Sequence, residues 1–215
     1  TRKIHYNGIF LNQPDKYDVS FIAASLRLPE LLKAGQSIKD NVQVDKAEDF
    51  GRGKLKTGRL LYSKLCQRLK LLTPQQFELF LNNDLIAQKQ LGFLALCKCH
   101  EYIKEFTIEV IREKYLLFDY EISLGEYLTF YRNKRELYSS MEVLTEGTQT
   151  KMKFVTFKIL EEAGLIDNTR NKFIQTQIID QKVLSAIIAD NPEWLKIFLM
   201  SDIDINNATE SYHAH

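Results

Sequence analysis

At 215 residues the chain is long enough for one or two domains, and its 45% hydrophobic and 11% aromatic content excludes wholesale disorder. Nine Gly and four Pro are too few for an all-β fold, which needs a turn every ~8–12 residues, so the fold class is mainly α. The 29 Lys and Arg against 28 Asp and Glu leave a net charge of +1, and no global field marks a nucleic-acid or membrane-surface protein.

Cys66, Cys97 and Cys99 are too few, and odd in number, for a disulfide framework, which fits a reducing cytosol. The longest uncharged apolar run, Leu91–Cys97, falls far short of the ~20 residues of a bilayer span. No basic start leads into an apolar signal segment. The expectation is a cytoplasmic protein with no membrane partner.

Residues 1–17 read as an extended entry. The apolar stretch Val19–Leu28 breaks at Pro29, resumes over Glu30–Ala34 and stops at Gly35, after which Ser37 opens a short helix to about Val44. Helices follow at about 54–71, 74–82, 84–100, 101–117, 124–138, 148–163, 181–190 and 193–200. Their starts are signalled by Thr73-Pro74-Gln75-Gln76, by the capping box Ser123–Glu126 and by Asn191-Pro192-Glu193. Gly164 closes the 148–163 helix. Leu85–Leu117 is apolar on nearly all sides, as in a helix at the middle of a bundle.

Residues 172–178 alternate apolar and polar and predict a short strand. A soft boundary near Tyr120–Ser123 divides the chain. An all-helical lobe covers 1–122, and a winged-helix-like lobe with one short strand pair covers 123–202. Residues 203–215 form a polar tail.

The sharpest anomaly is 51–76. It holds Arg52, Lys54, Lys56, Arg59, Lys64, Arg68 and Lys70 with no acid, against 22 basic and 28 acidic residues elsewhere. Leu61, Leu65, Leu69 and Leu72 make one apolar stripe on this helix. Lys56, Arg59, Ser63, Gln67 and Lys70 face away from it, with Lys64 and Arg68 on its flanks. Neutralising a phosphate backbone releases condensed counterions, and such a face suits that purpose; a solvated face balanced by nearby acidic helices is the plainer alternative.

A second candidate is the start of the 148–163 helix, where Gln149, Thr150, Lys151, Lys153 and Lys158 stand with no acid before Glu161. Recognition helices present such residues to bases and phosphates. An ordinary amphipathic helix, with Phe154 and Phe157 packing on another helix or subunit, is its rival. Glu161 and Glu162 read as a solvated helix end.

Cys97-Lys98-Cys99-His100 suggests a metal, but helical positions two apart diverge by ~200°, so core thiols and no cofactor are expected. No phosphate loop or nucleophile motif is present, and the reading is non-enzymatic.

Gly58-Arg59 through Arg68-Leu69, Glu105–Lys114, Phe130 with Lys134, Thr150-Lys151 leading to Ile159–Ile166, and Leu195–Asp202 occur in an order and spacing that resemble the BrxA family. These are small accessory proteins of the BREX (bacteriophage exclusion) defence systems. The resemblance spans about residues 5–203. It implies a compact, mostly helical, non-enzymatic protein with DNA-binding capacity, working beside a methyltransferase, an alkaline-phosphatase-like protein and large ATPases. The expected partner is double-stranded DNA, held mainly through phosphates. A protein-interaction scaffold whose basic face docks an acidic partner and an RNA-binding helical module are the rival readings.

Overall fold

The computed structural model describes residues 17–214 and, before them, only the antiparallel backbone pairing of β1 (His5–Tyr6) with β2 (Ile9–Phe10). The rest of the expected extended entry lies outside the described residues.

The remainder is helical: α1 (Leu28–Lys39), α2 (Lys46–Gly51), α3 (Leu55–Leu69), α4 (Pro74–Asn82), α5 (Leu85–Cys99), α6 (Glu101–Phe106), α7 (Glu113–Leu116), α8 (Leu124–Leu137), α9 (Ser139–Glu142), α10 (Glu146–Ala163), α11 (Gln181–Ile188) and α12 (Asp202–His213). A π-helical stretch, Thr107–Arg112, joins α6 to α7, and 3-10 turns lie at Ser20–Ala23 and Pro192–Phe198.

Local chemistry explains most of the boundaries. Thr73 and Gln76, and likewise Ser123 and Glu126, each exchange side-chain and backbone bonds in a complete capping box. Asn191 caps its turn by accepting from the Glu193 N–H. Gly164 adopts φ +80°, and the Leu165 N–H returns to the Leu160 carbonyl at 2.9 Å.

Pro29 and Gly35 behave differently from the expectation. Pro29 occupies the first turn of α1, where no N–H is required. Gly35 sits inside the helix because a Cβ there would lie 2.8 Å from Leu81 Cδ2; it permits close approach of α4 rather than ending α1. Ser37 belongs to the same helix, which ends at Lys39.

The buried centre is α5, whose Gln90–Cys97 are all inaccessible and which packs against α1, α3, α4, α6, α10 and α11. Buried residues on both sides of the expected 122/123 boundary belong to one hydrophobic cluster.

Three helices do occupy 124–163, but the winged-helix strand pair is not formed. Phe173 and Ile174 make only isolated antiparallel bridges, to Glu121 and Ile166. Two backbone bonds hold each bridge. On one, the Asp167 N–H donates to the Phe173 carbonyl and the Gln175 N–H to the Leu165 carbonyl. On the other, the Ile122 N–H donates to the Lys172 carbonyl and the Ile174 N–H to the Tyr120 carbonyl. Side chains add to them. The Gln175 amide donates to the Phe173 carbonyl, the Gln177 amide to the Gly164 and Gln175 carbonyls, and Asp167 accepts from the Phe173 N–H. The polar tail expected over 203–215 is instead α12, capped by Ser201 accepting from the Asp204 N–H and anchored by buried Ile205.

Candidate nucleic-acid interface

The close crossing of α2 and α3 sets the geometry of the basic face. A Cβ on Gly58 would stand 1.5 Å from the Lys46 carbonyl oxygen, and one on Gly51 would stand 2.9 Å from the Gly58 nitrogen. Only glycine lets the first turn of α3 lie so near α2. Leu61, Leu65 and Leu69 then bury, with Leu72 just beyond the helix, as the stripe requires.

The opposite side of α3 is open. Arg52, Lys54, Lys56, Arg59 and Lys70 are exposed, and none of them has an ion-pair partner among the described residues. Lys64 is half-buried and donates to Ser20 Oγ at 3.0 Å.

A residue the sequence reading missed joins this face. Lys46, at the start of α2, shares a shallow groove with Ile38, Arg59, Tyr62, Ser63, Cys66, Gln67 and Lys70, and its Nζ stands 5.2 Å from the Tyr62 ring centre. In sequence it is hidden between Asp45 and Glu48-Asp49. Two of those acids are engaged locally. Asp45 caps α2 by accepting from the Ala47 and Glu48 N–H groups, and Asp49 pairs with Lys33.

Arg68 corrects the expectation. Its side chain is buried, 1% exposed, and donates to the Ser25 and Ala24 carbonyls at 2.6 and 2.5 Å. Burial pushes the guanidinium down to about 10, with Glu162 opposing. Glu162, expected in solvent, accepts from the Ser25 hydroxyl and the Leu26 and Arg27 N–H groups of the same loop. The two side chains therefore clamp the 24–27 loop between α3 and α10. An arginine on the flank of the stripe is within reach of this loop, and two buried carbonyls without donors would be costly; Arg68 is structural.

The second candidate region is only partly available. Thr150 and Lys151 are exposed and Lys153 is half-buried. Gln149 donates to the Leu144 carbonyl at 2.9 Å, and Lys158 pairs with Glu161 at 2.7 Å. Phe157 turns inward to Phe106 and Tyr127, while Phe154 remains 61% exposed. The α3 and α10 sets lie on different helices, which both pack on α5 and whose Arg68 and Glu162 meet the same 24–27 loop.

Cys97 is buried, and burial pushes its thiol well above the usual range; Cys66 and Cys99 are half-buried with thiols raised by the same cause. The ~200° divergence along α5 turns Cys97 inward and leaves Cys99 partly accessible, contrary to the expectation that both are buried. His100 is 1% exposed, and burial, with the Arg68 charge, pushes its imidazole down to about 4, leaving it neutral. No helix among the described residues is long and apolar enough to cross a membrane.

Comparison with known proteins agrees with the sequence resemblance. A BREX protein BrxA of Bacillus cereus (strain H3081.97) is 25% identical over 128 residues, 59% of this chain. The chain spans 64% of that relative's length. A crystal structure of an uncharacterized protein from Magnetospirillum magneticum shares the fold, with a TM-score of 0.73 at 19% identity over 86% of this chain and 98% of the other. The BrxA family profile matches residues 15–191. The chain belongs to the BrxA family.

Proposed function

We propose that this protein is a non-enzymatic component of a BREX anti-phage defence system that holds duplex DNA through its phosphates. The contact surface is the outer side of α3 and the loop before it: Arg52, Lys54, Lys56, Arg59 and Lys70, with Lys46 and Lys64 at its borders. One observation carries the reading. Five exposed cations lie on a stretch without an acid, and none has an ion-pair partner among the described residues. Each is available to displace counterions from a phosphate backbone. Lysines and arginines on phosphates fix position without reading bases, so binding has low sequence specificity. The family and the relative's name supply the defence context.

A gel-shift titration with random duplex DNA, duplex RNA and single strands at two salt concentrations tests it. Retention of duplex DNA, weakening steeply with salt, is the expected result. Binding to none of the probes would turn the basic face into a docking surface for an acidic partner, and preference for duplex RNA would change the ligand class.

A further inference from the structure

The groove beside α3 is lined by more than cations. It has a volume of about 530 Å³, within the range of ligand sites, and its walls are the outer side of α3, the end of α1 and the start of α2. Arg59 and Lys70 stand towards its two ends, about 16 Å apart along the helix axis. Lys46 reaches in from α2. Between these cations the lining is uncharged. Ser63 and Gln67 are exposed and offer a hydroxyl and an amide, while Ile38, 41% exposed, Tyr62 and Cys66 offer carbon and sulfur. The Tyr62 ring is fixed as a wall, its hydroxyl 3.1 Å from Ser37 Oγ and its centre 5.1 Å from that of Phe50.

Among the described residues no acid lines this groove. The acids of the three helices and their caps are turned elsewhere. Glu30, Glu48 and Asp49 line a separate cleft with Thr57, Leu60 and Lys64, which leave α3 on its other flank. Asp45 caps α2, and Asp40 accepts from the Gln36 amide at 2.7 Å. Lys46, like Arg59 and Lys70, has no ion-pair partner among the described residues.

We propose that this groove holds a short unpaired stretch of DNA strand, its phosphates on Arg59, Lys46 and Lys70 and a base against Ile38 and Tyr62. A single strand alternates charge with flat, partly apolar rings, and the groove places cations at its ends and uncharged side chains between them. A duplex turns its paired bases inward and offers only phosphate and sugar, which leaves Ile38 without a partner. Single-strand sites combine a cationic track with contacts to the bases in this way. The inference rests on the reading of α3 as a nucleic-acid face and extends it. Duplex held on Arg52, Lys54 and Lys56 lies beyond the Arg59 end of the groove, and the strand that continues past the duplex enters there.

The test uses the full chain and three labelled DNA hairpins: one blunt, one with a tail of about four unpaired thymidines, and one with an abasic tail of equal length. The two tails carry the same charge, so counterion release is equal for both. Fluorescence anisotropy should show the thymidine tail binding about tenfold tighter than the abasic tail. Ile38→Ser and Gln67→Glu, each checked for folding by circular dichroism, should bring that ratio towards one. Equal binding of the two tails, or a ratio unchanged in both folded variants, would overturn the proposal and leave the duplex reading standing. Binding of the thymidine tail without any binding of the blunt hairpin would uphold the groove and remove the duplex reading. Binding of none of the three would remove both.

Discussion

Replacing Lys56, Arg59 and Lys70 together with alanine probes the basic face most directly. All three are exposed, Lys56 and Arg59 on α3 and Lys70 at its C-terminal cap, outside the leucine stripe, so each should change stability by only about ±0.5 kcal/mol. With one phosphate for each of the five exposed cations, the log–log salt slope is about −4.5 at roughly −0.9 per phosphate. Raising salt from about 50 to about 200 mM then weakens the parent by about 500-fold. The triple variant keeps Arg52 and Lys54, so its slope is about −1.8 and the same change weakens it by about 12-fold. Fluorescence titration across the salt series measures both slopes, and circular dichroism checks the fold. Unrelated duplex sequences should show the same loss, because phosphate contacts do not distinguish bases. Glutamate at the same three positions should abolish binding. A folded triple-alanine variant with the parental slope would refute the assignment of the face.

Arg68→Met should behave in the opposite way, lowering stability by about 2–4 kcal/mol in urea unfolding because the Ala24 and Ser25 carbonyls lose a charged donor. If it lowered DNA affinity with stability intact, the buried role would be wrong. Gly58→Ala should cost about 1–3 kcal/mol despite alanine's better helix propensity, since its methyl meets the Lys46 carbonyl; thermal unfolding checks this. His100, pushed down to about 4 in the folded chain against an unfolded value near ~6.5, takes up protons more readily when unfolded. Its contribution is complete above pH ~6.5 and is lost as pH falls towards ~4, by about 3 kcal/mol at most. Unfolding free energies measured between these limits should fall less steeply in His100→Gln, and an unchanged slope would exclude His100 as the source.

Much of the architecture was legible because its signals are local. A Thr or Ser followed three residues later by Gln or Glu satisfies helix-end N–H groups within one turn, and α4 and α8 begin where those boxes stand. The all-round apolar character of α5 announced its place at the centre for the same reason: each face had to meet another element. Pro29 and Gly35 were misread because their meaning depends on context. A first-turn proline and a chain-ending one look alike in sequence, and only the approach of Leu81 distinguishes a contact glycine from a terminating one.

The candidate sites divide in the same way. That 51–76 is basic and amphipathic follows from composition and helical period, so the sequence alone determined that α3 has an exposed positive side. The family resemblance rests on several motifs in order and spacing along nearly the whole chain, and the family profile matches residues 15–191. Tertiary structure decided which charges remain available. It drew Arg68 inward to the 24–27 loop, set Glu162 on the other side of that loop, and brought Lys46 into the α3 groove from across the glycine crossing. It also left Phe154 outside while Phe157 closed on Phe106 and Tyr127. Helical period reports the direction a side chain leaves its own axis. Whether that direction ends in water, on a carbonyl or against another ring depends on which distant segment is packed there, and that is a property of the assembled chain.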